Sequence, residues 1–123
     1  MMKKYIAAGL ISLAATTAHA DEIRPWTTTE KTLGVAALVL HTIDWRQTSY
    51  IAKNPHRFHE TNPLIGRYPS TGRVNGYFLA SGLVIAGLAH YFPEWRPILL
   101  GVYVGGQIAN THRNYQLGLR VSF

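Results

Sequence analysis

Residues 74–92, VNGYFLASGLVIAGLAHYF, run for nineteen positions without a charged side chain. Few folds accommodate such a run. As a helix rising ~1.5 Å per residue it would extend ~28 Å, close to the ~30 Å hydrocarbon core of a bilayer. It shows no apolar/polar alternation, so a half-buried strand is a poor fit. A helix over 74–92 is therefore expected, with membrane lipid as its surroundings.

Two further helices flank it. Residues 97–112, PILLGVYVGGQIANTH, follow the turn Pro93-Glu94-Trp95-Arg96, and Pro97 suits a first helical turn. At ~24 Å that helix is short for a bilayer, or meets a thinned one. Upstream, a helix over 29–51 is expected, capped by one of Thr27 to Thr29, with Glu30 complementing the amino-end dipole and Trp26 as an interfacial anchor. Residues 52–73 carry three prolines and two glycines without periodicity and read as a long connecting loop.

The amino end has a different character. Residues 1–20 combine Lys3 and Lys4, an apolar stretch and the small-x-small site Ala18-His19-Ala20, which is the pattern of a secretory signal peptide. Removing those 20 of 123 residues leaves 103, a single domain over 21–123, and lowers the net charge from +6 to +4. There are no cysteines, so disulfides and thiolate metal sites are excluded. The basic residues are scattered singly, without a basic stripe or an RNA-binding motif, so nucleic acid is not an expected partner.

Charge also orients the chain. With the mature amino end outside, Arg46, Lys53, Arg57, Arg67, Arg73, Arg113 and Arg120 are cytoplasmic, and Arg24, Lys31 and Arg96 external. That asymmetry follows the positive-inside rule and points to a bacterial inner membrane. The alternative locations are the outer membrane and the periplasm. The terminal NYQLGLRVSF alternates with period two and reads as a short extended tail, as in the last strand of an outer-membrane barrel. A barrel needs ~8 such strands, and the continuously apolar blocks do not supply them. The fold class is thus all-α: about three membrane-associated helices after a signal peptide, with an extended C-terminal tail. Gly101 and Gly105, spaced as small-xxx-small, offer a face for homo-oligomer formation, and Gly82 and Ala86 form a second such pair.

The apolar run at 33–43 ends in a difficulty. His41 and Asp44 lie inside the first expected helix, and one central Asp costs ~2.5–3.5 kcal/mol on insertion, about what the surrounding aliphatic residues return. Such a carboxylate needs partners. His41, Asp44 and Thr48 share a helix face at i, i+3 and i+7, with Gln47 at its edge. The third helix brings Gln107, Asn110 and His112 to comparable depth, and the loop supplies His59, Glu60 and Asn62. A polar cytoplasmic-side cluster centred on Asp44 is expected. It reads as a hydrogen-bonded network, as an interaction or proton-relay surface, or as a divalent-metal site. In the last case the ligands come from His41, Asp44, His59, Glu60 and His112. No HExxH spacing, serine elbow or phosphate loop is present, and no other cofactor is implied.

Asp44, Gln47 and Thr48, followed by Glu60, Asn62, Pro63 and Gly66, spell D-x-x-Q-T and E-x-N-P-x-x-G. With the downstream apolar segments, this pattern resembles a family of small bacterial and phage-borne membrane proteins to which no activity is attached. The resemblance implies membrane residence and singles out those positions. The expected role is a non-enzymatic envelope or assembly component, and the competing one is an intramembrane metal-dependent hydrolase.

Overall fold

The structure is a computed structural model and describes residues 23–119. The expected signal peptide and the last four residues of the expected tail lie outside the described residues. Three helices, and no strands, occur among the described residues: α1 (Thr28–Lys53), α2 (Thr71–Tyr91) and α3 (Arg96–Gln116). They run up, down and up. α1 packs against both others, and α2 and α3 meet least.

Local chemistry sets the boundaries. Thr27 caps α1 through a full capping box: its hydroxyl accepts from the Glu30 N–H at 3.1 Å, and Glu30 accepts from the Thr27 N–H at 2.9 Å. Ser70 caps α2 in the same sense, its hydroxyl accepting from the Arg73 N–H. α2 therefore begins three residues before the apolar run that signals it.

α3 runs past His112, the end expected from the sequence, to Gln116. Residues 114–116 continue the helix, and Gly118, at φ +94°, turns the chain. The Leu119 N–H donates to Asn114 O and the Gly118 N–H to Tyr115 O, closing a Schellman motif with Leu119 buried beneath it. The expected extended tail is, over residues 114–119, a helix end. The short alternation cannot outcompete helix propagation that needs only one left-handed glycine to stop it. α3 is consequently 21 residues long, ~32 Å rather than ~24 Å.

Among the described residues no helix combines the length and apolarity to cross a membrane. The apolar interior is two small clusters. Ala37, Ala89 and Leu100 sit at the amino end of α1, and Ile65, Val74 and Phe78 sit under the loop. Glu30, Gln47, Thr48, Arg96 and Thr111 are buried alongside them. Large aliphatic side chains instead face outward on every helix, with Leu38, Leu79 and Val102 at 67, 68 and 71 % exposure.

Candidate functional site: a polar cluster around Asp44

Asp44 lies between α1 and α3. Its Oδ2 accepts from Gln107 Nε2 at 3.0 Å, and its Oδ1 accepts from Asn110 Nδ2 at 3.2 Å and from Thr48 Oγ1 at 3.4 Å. Three of the roughly four acceptor positions of a carboxylate are thereby used.

The network continues in one direction along α3. Gln107 gives its second amide hydrogen to the Tyr103 hydroxyl at 2.9 Å, and Tyr103 meets His41 Nδ1 at 2.5 Å. His41 Nε2 lies 2.7 Å from the Phe78 carbonyl. That carbonyl can only accept, so Nε2 carries a proton, and in a neutral ring Nδ1 then accepts from the Tyr103 O–H. Every donor from Gln107 to His41 therefore has a defined acceptor. Gly82 of α2 makes room for the ring, since a Cβ there would meet His41 Nε2 at 3.1 Å.

Gln47, one turn beyond Asp44, fastens the end of α3. Its Nε2 donates to Thr111 O and Leu119 O, and its Oε1 accepts from Asn114 Nδ2 at 3.0 Å. Leu119 O lies just past the helix end, where backbone carbonyls lack intrahelical donors.

Glu60 and Asn62 build a corner in the loop. Glu60 Oε1 accepts from the Thr61 and Asn62 N–H groups, while Asn62 Oδ1 accepts from the Leu64 N–H. The Asn62 carbonyl then accepts from Ile65 and Gly66, and Gly66 takes φ +94° to leave the turn. Asn62 Nδ2 ties the corner to Tyr77 on α2 at 3.0 Å. The E-x-N-P-x-x-G pattern thus has a backbone explanation at Glu60, Asn62 and Gly66. Asn62 points to α2, away from Asp44.

The nine sequence-predicted cluster residues accordingly separate. Asp44, Thr48 and Asn110 meet directly, and His41 joins through Tyr103 and Gln107. Gln47 and Asn62 serve neighbouring joints. Exposed His59 shares a cavity of about 380 Å³ with Asp44 and Glu60, whereas His112 is exposed on α3. Among the described residues no group of three or more His, Asp or Glu is placed to hold a metal ion. The ligand set expected from His41, Asp44, His59, Glu60 and His112 is not assembled. Both His41 nitrogens are engaged, and Glu60 Oε1 is turned into its own loop.

A second polar centre, absent from the sequence reading, closes the opposite end of the bundle. Arg96 is wholly buried and uses all its donors. Nε donates to Ala89 O at 2.6 Å, Nη1 to Arg24 O and Glu30 Oε1, and Nη2 to Arg24 O and His90 O. Its guanidinium lies 4.5 Å from the Trp26 ring centroid. Trp26, expected as an interfacial anchor, packs over Arg96 and against Gly34. Arg24 forks onto both Glu30 oxygens at 2.9 and 2.6 Å and reaches Pro93 O. Hydrogen bonds from Arg24, then from the Thr27 backbone, hold the Glu30 carboxyl down to about 2. The sequence signal available was Arg between Trp and Pro in a turn, which resembles any exposed turn cation.

No protein-family model, curated protein or solved structure matches this chain.

Proposed function

We propose that the chain is a small integral protein of the bacterial inner membrane, and that its three helices enter the bilayer as a bundle. The observation that carries this reading is the inversion of burial. Val35, Leu38, Leu79, Leu83, Ile98 and Val102 are exposed around all three helices, whereas Glu30, Gln47, Thr48 and Arg96 are inside. In water such a surface is an aggregation liability, but against lipid it is the favourable face, with polar groups satisfied internally. The membrane-spanning stretches start at Leu33 in α1, Val74 in α2 and Pro97 in α3, leaving Arg24, Glu30 and Arg96 at the outer interface. With the mature amino end outside, the Asp44 cluster and the loop corner lie toward the cytoplasm.

The role we assign is non-enzymatic, as an envelope or assembly component. What supports it is the use made of the polar groups: Gln107, Tyr103 and His41 spend their hydrogen-bonding capacity on one another, on Asp44 and on α2. The test is alkaline carbonate extraction of membranes from expressing cells, combined with single-cysteine labelling, for which the chain offers a cysteine-free background. The protein is expected in the pellet, with Ser70→Cys labelled from the cytoplasmic side and Glu94→Cys from the outside. Release into the carbonate supernatant would overturn the membrane reading.

A further inference from the structure

The 380 Å³ cavity at the loop end of the bundle is lined by groups of both charge signs: Asp44 and Glu60 on one hand, Arg57 and Arg113 on the other. Its size is within the ~300–1,000 Å³ of small-molecule sites. Opposite charges sharing one concavity normally pair. Here they do not: among the described residues the only ion pairs are the two made by Glu30 at the far end. Arg57 lies against the Phe58 ring at 5.4 Å, and the Arg113 side chain is exposed. Glu60 Oε2 accepts no hydrogen bond from the described residues, and Asp44 Oδ2 accepts only one. Both signs thus retain hydrogen-bonding capacity around a single space. A ligand with a phosphate at one end and an N–H-bearing ammonium at the other satisfies both. Apolar Phe58 and Leu117 also line it, which suits a molecule with an apolar portion beside its charged groups.

We propose that this cavity holds the headgroup of phosphatidylethanolamine, with its phosphate on Arg57 and Arg113 and its ammonium on Glu60 and Asp44. The proposal rests on the membrane reading, which puts the cavity at the level of the cytoplasmic-side headgroups. Guanidinium groups match phosphate oxygens in geometry and charge, and a primary ammonium offers the carboxylates three donors. A choline headgroup has no N–H to offer, and a glycerol headgroup brings no positive charge.

The test is native mass spectrometry of the detergent-solubilised full chain, titrated separately with phosphatidylethanolamine, phosphatidylcholine and phosphatidylglycerol. Phosphatidylethanolamine is expected to be retained about tenfold better than either, the scale of one charge-assisted hydrogen bond. Arg113→Gln alters an exposed side chain and should abolish that retention without changing Tm. Glu60→Gln preserves an acceptor for the Thr61 and Asn62 N–H groups and should bring ethanolamine and choline lipids to parity. Equal retention of the three lipids by the unaltered chain overturns the proposal. So does saturable binding of free O-phosphoethanolamine without any lipid preference, which would assign the cavity to a soluble zwitterion. Failure of the membrane reading is read separately, by carbonate release of the protein regardless of lipid.

Discussion

Gly82 on α2 and His41 on α1 are matched in shape: a methyl group on Gly82 would come within 3.1 Å of His41 Nε2 and 3.5 Å of Cδ2. The imidazole cannot readily give way, because Phe78 O and Tyr103 hold it at both nitrogens. Gly82→Ala should therefore destabilise the bundle by about 1 kcal/mol or more, although alanine is the better helix former. Gly101→Ala and Gly105→Ala, where a Cβ meets nothing within 4 Å, should be neutral or stabilising by up to ~1 kcal/mol. Thermal unfolding of the three variants in one detergent checks this. Equal behaviour at all three sites would mean that the α1–α2 contact is not as close as described.

Asp44 organises its neighbours more than it interacts with solvent. Asp44→Leu leaves amide hydrogens of Gln107 and Asn110, and the Thr48 hydroxyl, without an acceptor. A loss of about 1–3 kcal/mol is expected. Asp44→Asn keeps one acceptor oxygen and should cost less. The ordering of the two variants, measured by denaturant midpoint, separates a hydrogen-bonding role from simple charge burial. If Asp44→Leu proved the more stable, the network would be dispensable.

How much of this could be read from the chain alone depends on the range of the interaction. The Thr27–Glu30 cap and the Asp44–Thr48 contact follow from helical spacing alone, and the approach of Asp44 to Asn110 follows once three helices are taken to run up, down and up. The direction of Asn62, toward Tyr77 rather than Asp44, depends on how the loop corner rotates and leaves no trace in spacing. Leu117 and Leu119 fit a strand's alternation and a Schellman end equally well, and only the positive φ of Gly118 decides between them. Arg96 was least legible. Its burial depends on carbonyls of Arg24, Ala89 and His90 converging from two other segments. The apolar run at 74–92 suggests a membrane span from the sequence, yet among the described residues no helix is long and apolar enough to cross a membrane. The proposed embedding rests instead on the outward aliphatic faces of all three helices.

Arg96 closes the amino end of α3 with donors that lysine cannot reproduce. Its side chain makes five hydrogen bonds in a fork fixed by planarity, to three carbonyls and to Glu30. Arg96→Met should cost about 3–5 kcal/mol, because Glu30 loses a buried partner and the Ala89 and His90 carbonyls lose their donors. Arg96→Lys, with three donors on a flexible stem, should recover only a minority of that loss. Unfolding midpoints in detergent decide the matter. A Lys variant equal to the parent would reduce Arg96 to a simple charge.

The same end of the bundle carries a pH dependence whose sign is fixed by Glu30. Its carboxyl is lowered from an ordinary 4.5 to about 2, first by the Arg24 guanidinium and then by the Thr27 N–H. A carboxyl depressed in the folded state stabilises fully above its unfolded value. The contribution is lost as pH falls from about 4.5 through about 2, since the unfolded chain takes up the proton first. Acid therefore weakens the Arg24–Glu30 fork, whereas raising the pH from 6 to 8 leaves it unchanged. Glu30→Gln removes the titration while retaining an acceptor for Thr27. The Tm difference between parent and Glu30→Gln should be constant above about pH 5 and shrink steadily toward pH 2, with other carboxylates cancelling in the comparison. A difference that stayed constant over that interval would show that Glu30 is not held by Arg24 in solution.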